Sequence, residues 1–162
     1  MGKSSIVLVY LDDCIIISKK GSGVSKRLTK ALVNGKENFQ LTDEGSLDRY
    51  LGVEIKKRND GKVELFQPHL IDRFLAVVGQ DTNVNEKSTP VTNPLLHKDI
   101  AVLPRKFKWN YMQAISLLTY LQGTSRPGIA IAVHQAARFT NDPKFSHERA
   151  VHRIVRYIKG TT

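Results

Sequence analysis

Two adjacent carboxylates, Asp12 and Asp13, are the residues of this 162-residue chain best suited to metal chemistry. They stand between apolar, β-branched runs at residues 6–10 and 14–18, which predicts a tight hairpin of two buried strands with the acids at its tip. Two negative charges held side by side repel each other unless a cation neutralises them. Oxygen ligands open to phosphate favour Mg2+. Aspartates are also common in tight turns, so plain turn chemistry is an equal alternative.

A row of arginines in the last predicted helix, residues 146–159, is the second chemical feature. Arg149, Arg153 and Arg156 fall on one face with Lys159 nearby, and apolar residues lie opposite. Such a row can follow a phosphate backbone through charge-assisted contacts. A solvated surface helix has the same pattern, and that alternative stays open.

The net charge of +10 is unevenly distributed along the chain. Residues 105–162 carry ten basic and two acidic side chains, whereas residues 59–104 carry a net charge of −2. Concentrated positive charge predicts a polyanionic partner. Nucleic acid is favoured over a membrane because no lipid-facing apolar surface accompanies the charge.

Composition and single residues exclude several classes of protein. Hydrophobic residues make up 41% and charged residues 25%, as in ordinary globular domains. No apolar run approaches the roughly 20 residues that span a bilayer, and no secretory segment is recognisable, so an intracellular protein, cytoplasmic or nuclear, is expected. The single cysteine, Cys14, allows no internal disulfide, and its place in an apolar strand predicts burial. His147 and His152 diverge by about 140° on a helix, so they predict no zinc pair.

The elements that position these residues indicate an α+β fold. The hairpin is followed by a helix over about 24–39, by a second hairpin with a turn at Asn59-Asp60-Gly61, and by a short helix ending at Gly79. The remainder is helical, with Pro127 at a helix start. Ser146 is the predicted cap of the last helix, and Glu148 lies in its first turn.

At the first hairpin, Tyr10-Leu11-Asp12-Asp13 between apolar strands resembles the signature of reverse transcriptases. Further blocks follow in order and resemble the reverse transcriptases of copia-type retrotransposons. They are Asp43-Glu44-Gly45-Ser46-Leu47, Tyr50-Leu51-Gly52-Val53-Glu54-Ile55, Thr89-Pro90-Val91, Tyr111-Met112-Gln113-Ala114-Ile115, Ser125-Arg126-Pro127 and Arg156-Tyr157-Ile158-Lys159-Gly160-Thr161. The resemblance covers nearly the whole chain.

This resemblance implies a polymerase palm and thumb, with a partial palm over residues 1–80, a proline-containing linker over 81–105 and a helical thumb over 106–162. It implies that Asp12 and Asp13 hold the catalytic Mg2+ ions of two-metal nucleotidyl transfer. The partner is an RNA/DNA primer-template.

Two further groups of residues take roles from the same resemblance. Tyr10 and Leu11 are expected near the primer end and the incoming nucleotide. Tyr50, Leu51 and Gly52 match the hairpin called the primer grip. The arginine face of the last helix, with Lys159, is expected along the duplex or at its exit.

Departures from the family lead us to expect a fragment that is inactive alone. In the family, a third metal-binding aspartate and the fingers lie upstream of the tyrosine motif, and only nine residues precede Tyr10 here. Gly128 stands where an aspartate is usual, and Thr42 where a lysine is common. Besides the missing fingers and palm portion as a partner, one alternative is a non-catalytic nucleic-acid-binding remnant that uses the basic C-terminal helices. Another is an interaction module that associates through an exposed palm edge.

Overall fold

The computed structural model describes residues 4–34, 40–79, 85–91, 96–98 and 103–161. The chain divides into two compact units, Met1–Leu47 and Asp48–Thr162. Small antiparallel sheets with helices come first and a helical part follows, so the predicted α+β class is confirmed. The end of the predicted helix over 24–39 and much of the predicted linker lie outside the described residues.

The described residues of the first unit form one hairpin and one helix. Strands β1 (Ser5–Tyr10) and β2 (Asp13–Ser18) pair antiparallel, with Tyr10 opposite Asp13. Helix α1 (Val24–Val33) follows, and it places polar and basic side chains on its outer face. None of the described residues of this unit is buried.

The second unit begins with a three-stranded antiparallel sheet. Strands β3 (Arg49–Tyr50), β4 (Val53–Lys57) and β5 (Val63–Phe66) follow one another in space as in sequence. The predicted turn between β4 and β5 is confirmed. The Asp60 side chain accepts a hydrogen bond of 3.1 Å from the Lys62 backbone N–H, which lowers the pKa of Asp60, and Gly61 adopts a φ of 83°.

Helices complete the second unit. They are α2 (Pro68–Val78), α3 (Tyr111–Thr124), a 3-10 turn (Pro127–Ile129), α4 (Ala130–Ala137) and α5 (Phe145–Lys159). Proline occupies the first position of α2 and of the 3-10 turn, where its missing N–H costs nothing. Gly79 ends α2 with a φ of 84°, as its sequence position predicts.

The core of the molecule joins α2 to the four C-terminal helical segments. Its fully buried apolar side chains are Phe74, Leu118, Leu121, Ile129, Val133, Val151, Ile154 and Ile158. The predicted apolar face of the last helix is therefore confirmed. Helix α2 thus shares its core with helices that the sequence assigned to the thumb, and the division into palm, linker and thumb stays a prediction.

Candidate functional site

The two carboxylates lie at the tip of the first hairpin, as predicted. Leu11 and Asp12 form the two-residue turn between β1 and β2, and Asp13 opens β2. Leu11 has a φ of 50° and is 84% exposed. A leucine in the left-handed region costs roughly 1–2 kcal/mol, and glycine or asparagine is the usual residue there. Backbone strain of this kind is concentrated at functional sites, which directs attention to this tip.

The donor chemistry of this tip fits a magnesium ion. Asp12 and Asp13 are both exposed. Within the part of the chain that the structure describes, no group of three or more His, Cys, Asp or Glu side chains is placed to hold a metal ion. Mg2+ binds through one or two carboxylates and completes its shell with water and phosphate oxygens. Two carboxylates supply at most part of such a ligand shell.

The strands that carry this tip are apolar, and none of their residues is buried, so the predicted burial of both strands is wrong. The large side chains of β1 and β2 that face solvent are Ile6, Val7, Leu8, Val9, Tyr10 and Ile17. Strands that are apolar on both faces are typical of sheets covered on both sides. Cys14 is also exposed, so its predicted burial is wrong. Burial depends on a covering layer, and a strand's own sequence does not supply one.

The predicted primer-grip residues form the turn between β3 and β4. Leu51 and Gly52 are the two turn residues, with φ values of 48° and 74°, and Tyr50 pairs with Val53. The Tyr120 hydroxyl of α3 donates a hydrogen bond of 2.8 Å to the Leu51 carbonyl. This bond connects the strained tip directly to a core helix.

A second polar contact ties the end of α3 to the start of α2. The Gln67 side chain is 1% exposed, and its Oε1 accepts hydrogen bonds from the hydroxyls of Thr124 and Ser125. The two contacts together hold the three-stranded sheet on α3. The sequence does not predict these roles of Tyr120 and Gln67, because the residues that they contact are more than 50 positions away along the chain.

The arginines of α5 are placed in different environments. Arg149 is exposed and Arg156 is half-buried. The guanidinium of Arg153 donates to the Thr89 backbone carbonyl at 3.1 Å and to the Thr89 hydroxyl at 2.8 Å, so it binds the segment before Pro90. Lys159 is half-buried near the end of the helix.

Glu148 anchors the segment before α3 on the first turn of α5. Its side chain is 1% exposed. It accepts hydrogen bonds from the backbone N–H groups of Lys106 and Phe107 and pairs with the Arg105 guanidinium at 3.3 Å. A carboxylate near a helix N-terminus is also favoured by the helix dipole. The sequence feature that could have drawn attention to Glu148 is that residues 105–162 contain only two acidic side chains.

His147 has a structural role, in keeping with the prediction of no zinc pair. Its Nδ1 accepts a hydrogen bond of 2.9 Å from the Lys144 backbone N–H, so Nε2 carries the proton and donates to the His97 carbonyl at 3.0 Å. The ring stacks on Phe139 with centroids 3.9 Å apart. Every ring atom capable of polar contact is therefore engaged.

The predicted site residues fall in both units. Tyr10, Leu11, Asp12 and Asp13 belong to the first unit, and the structure brings them together at one hairpin tip. The predicted primer-grip residues and the basic face of α5 belong to the second unit. No helix among the described residues is long and apolar enough to cross a membrane.

Proteins similar to this chain include Pol polyproteins of retrotransposons. The chain is 33% identical over 97% of its length to the retrovirus-related Pol polyprotein from transposon TNT 1-94 of Nicotiana tabacum and covers 12% of that protein. It is 32% identical over 99% of its length to the corresponding polyprotein from transposon RE1 of Arabidopsis thaliana, of which it covers 10%. A transposon Ty5-1 protein of Saccharomyces cerevisiae is 25% identical over 96% of this chain, which covers 49% of it.

The chain thus spans about a tenth of the two plant polyproteins and about half of the yeast protein. No protein-family model matches the chain, and no solved structure matches it. The relationship to retrotransposons that the sequence predicted is confirmed, and the narrower assignment to the reverse transcriptase stays a prediction. Over nearly its whole length, this chain is a distant homologue of part of the Pol polyproteins of copia/Ty1-type retrotransposons.

Proposed function

We propose that this chain is the C-terminal palm and thumb portion of an RNA-directed DNA polymerase of a copia-type retrotransposon. The observation that carries the proposal is the exposed pair of carboxylates, Asp12 and Asp13, at the tip of an apolar hairpin whose turn begins with a left-handed Leu11. Homology to Pol polyproteins over nearly the whole chain supports the same assignment.

In the intact enzyme, Asp12 and Asp13 hold Mg2+. The chemistry that Mg2+ supplies when bound is activation of the primer 3′-hydroxyl and neutralisation of charge on the leaving pyrophosphate. Tyr10 and Leu11 border the same tip and lie next to the primer end and the incoming nucleotide. The high exposure of Leu11 leaves this side of the hairpin accessible to substrate.

The second unit supplies the contacts to the primer-template. Tyr50, Leu51 and Gly52 position the primer terminus, and the bond from Tyr120 to Leu51 fixes their turn on α3. The arginine face of α5 lies along the duplex. Arg149 and Arg156 make the phosphate contacts, because Arg153 already binds Thr89.

The partial palm takes the remaining fingers and palm of the polymerase as its partner. The apolar side chains exposed on β1 and β2 fit a sheet that continues beyond this hairpin. We expect the isolated chain not to extend a primer, because the third metal-binding aspartate of the family is supplied by that partner. Extension by the isolated chain that disappears in Asp12→Asn would contradict this expectation.

The experiment that tests the proposal is a titration of a labelled RNA–DNA primer-template with the full chain, followed by fluorescence anisotropy with and without Mg2+. Mg2+ is expected to strengthen binding by the wild type and not by the double variant Asp12→Asn with Asp13→Asn. Asp60→Asn is the matched control, since Asp60 is an exposed acid at another hairpin turn. Equal Mg2+ dependence in all three proteins would refute the metal role of the tip.

A non-catalytic nucleic-acid-binding remnant is the second candidate function. The observation that favours it is that the basic face of α5 belongs to the unit with the core, whereas the carboxylate tip belongs to a unit in which no described residue is buried. In this case the double aspartate variant binds the primer-template as the wild type does. Replacing Arg149 and Arg156 with alanine weakens binding and lowers its salt dependence.

A further inference from the structure

The segment before α3 alternates basic and aromatic residues in the order Arg105-Lys106-Phe107-Lys108-Trp109. Lys106, Phe107 and Lys108 are exposed, and Phe107 as a residue is 47% exposed. The Lys106 ammonium lies 5.5 Å from the centroid of that ring. An exposed aromatic ring between two cations is a suitable binding element for a base and its neighbouring phosphates.

The backbone of this segment is held in place by buried contacts. Glu148 accepts hydrogen bonds from the N–H groups of Lys106 and Phe107 at 2.8 and 3.3 Å. Arg105 donates to Glu148 and to the Trp109 carbonyl, and its guanidinium lies 4.4 Å from the centroid of the Trp109 ring. Arg105 and Trp109 therefore have a structural role. The exposed side chains between them are presented from a fixed backbone.

The segment also adjoins the basic face of α5. The Phe107 and His152 rings are in tilted contact, with centroids 5.4 Å apart. Arg149 and Arg156 lie three residues before and four residues after His152, which places them one helical turn to either side on the same face. Phe107 therefore lies between two lysines in the sequence and packs on His152, whose helical neighbours on either side are Arg149 and Arg156.

We propose that Phe107 is a stacking platform for an unpaired base of a single-stranded nucleic acid, whose phosphates contact Lys106, Lys108 and the arginines of α5. The proposal rests on the nucleic-acid function proposed above and defines its ligand more narrowly. A basic surface alone would suit a duplex or an acidic peptide. The aromatic ring favours the single strand, because only an unpaired base exposes a face on which the ring can stack.

The test compares affinities of the full chain for a fluorescein-labelled oligothymidine of about 12 nucleotides and for a duplex of the same length. Phe107→Leu keeps an apolar side chain and removes the ring, and Phe107→Tyr keeps the ring. Leu103→Ala is the control, because Leu103 is a 64% exposed apolar residue two positions before this segment. Phe107→Leu is expected to weaken single-strand binding by roughly 5- to 100-fold. Duplex binding is expected to change less than about twofold, and Phe107→Tyr to bind as the wild type.

A second variant tests the cations independently of the ring. Lys106→Ala with Lys108→Ala is expected to reduce the slope of log K against log salt by about 1.4 for the single strand. An unchanged slope would show that neither lysine contacts a phosphate of the bound strand. Competition by poly-glutamate that is equally effective against wild type and Phe107→Leu would assign the surface to acidic peptides and overturn the proposal.

The outcomes separate this inference from the proposed function. Wild-type binding that Phe107→Leu reduces no more than Leu103→Ala would overturn the stacking platform and leave the polymerase assignment intact. Failure of the wild type to bind either nucleic acid would overturn both.

Discussion

The β1–β2 and β3–β4 hairpins, here the first and the second, share a tyrosine and a left-handed leucine at their tips and differ in what surrounds them. Leu11 and Leu51 have φ values of 50° and 48°. Leu51 is 37% exposed and its carbonyl accepts a hydrogen bond from Tyr120, whereas Leu11 is 84% exposed. The strained turn of the second hairpin is thus supported by a core helix, and the first turn projects two carboxylates into solvent.

The positive φ values of Leu11 and Leu51 occur in different surroundings. At Leu51, the neighbouring Gly52 and the Tyr120 hydroxyl stabilise the turn, so its shape follows from the fold of its own unit. At Leu11, the strands on either side are apolar and exposed, so the same local shape is embedded in a surface suited to further contacts. Among the described residues, the first tip thus lacks the hydrogen bond to a core helix that supports the second.

The largest expected effect is the difference in unfolding free energy lost when an apolar side chain is truncated in each unit. Leu118→Ala removes a fully buried side chain and is expected to lower the free energy of unfolding by about 2–5 kcal/mol. Leu8→Ala, at an exposed position of β1, is expected to change it by less than about 0.5 kcal/mol. Urea unfolding followed by circular dichroism measures both. Equal losses would show that β1 is packed as tightly as α3.

The next effect concerns a buried hydroxyl of the core. Burial raises the pKa of Tyr111, whose hydroxyl donates to the Ala136 carbonyl at 3.0 Å. The unfolded chain releases this proton near its ordinary pKa of 10.0, and the native chain does not. Stability is therefore complete below pH 10 and falls as the pH rises further, by at most about 1.4 kcal/mol per pH unit from this group.

The substitution Tyr111→Phe removes the pH-dependent contribution of this hydroxyl to stability and keeps the ring. The urea midpoint of Tyr111→Phe is expected to fall less steeply above pH 10 than that of the wild type. At pH 7 the variant loses one buried hydrogen bond, which contributes about 0.5–1.5 kcal/mol. Parallel curves for the two proteins from pH 9 to 11 would contradict burial of this hydroxyl.

A smaller effect tests the support of the second tip. Tyr120→Phe removes the hydrogen bond to Leu51 and is expected to cost about 0.5–1.5 kcal/mol locally. Amide exchange in residues 49–57 is therefore expected to accelerate by about 2- to 13-fold. Tyr111→Phe is the matched control, since it alters another tyrosine of α3 that does not contact the tip. Exchange that rises equally in both variants would point to a general loss of stability.

The smallest effect distinguishes the arginines of α5 from one another. Arg149→Ala is expected to reduce the slope of log K against log salt for a duplex by about 0.9, the value for one phosphate contact. Arg153→Ala is expected to change that slope less, because its guanidinium already binds Thr89. Anisotropy titrations at four salt concentrations measure both slopes. Identical slopes in the two variants would show that Thr89 does not compete with the phosphate.

Local features of the fold could be predicted from the sequence, because they depend on residues close together in the chain. Sequence patterns predicted the β1–β2 and β4–β5 hairpins and the helices, and Gly79 ended α2 as expected. The start of α5 could not be predicted in this way. It begins at Phe145 and its cap is Lys144 rather than Ser146, because the Lys144 carbonyl accepts from the Glu148 N–H and the Lys144 N–H donates to His147 Nδ1.

Whether a feature of the candidate site could be predicted depended on how far apart its contacting residues lie in the sequence. The carboxylate tip is made by neighbours in sequence, and its place at the end of a hairpin was predicted, although Asp13 belongs to β2 and not to the turn. Tyr120 and Leu51 lie 69 positions apart in the sequence, and Glu148 lies more than 40 positions from Lys106. Neither contact was predicted. The exposure of Cys14 was missed for a related reason, since an apolar strand does not specify what covers it.

The central claim is that Asp12 and Asp13 form a metal site, and paramagnetic broadening tests it most directly. Mn2+ in place of Mg2+ is added to the isotopically labelled full chain, and amide resonances are followed by NMR. Broadening of residues 10–14 at Mn2+ concentrations that leave the turn at Asp60 sharp, with loss of the effect in Asp12→Asn with Asp13→Asn, is the predicted result. Equal broadening at the two turns, or none at residues 10–14, would contradict the claim.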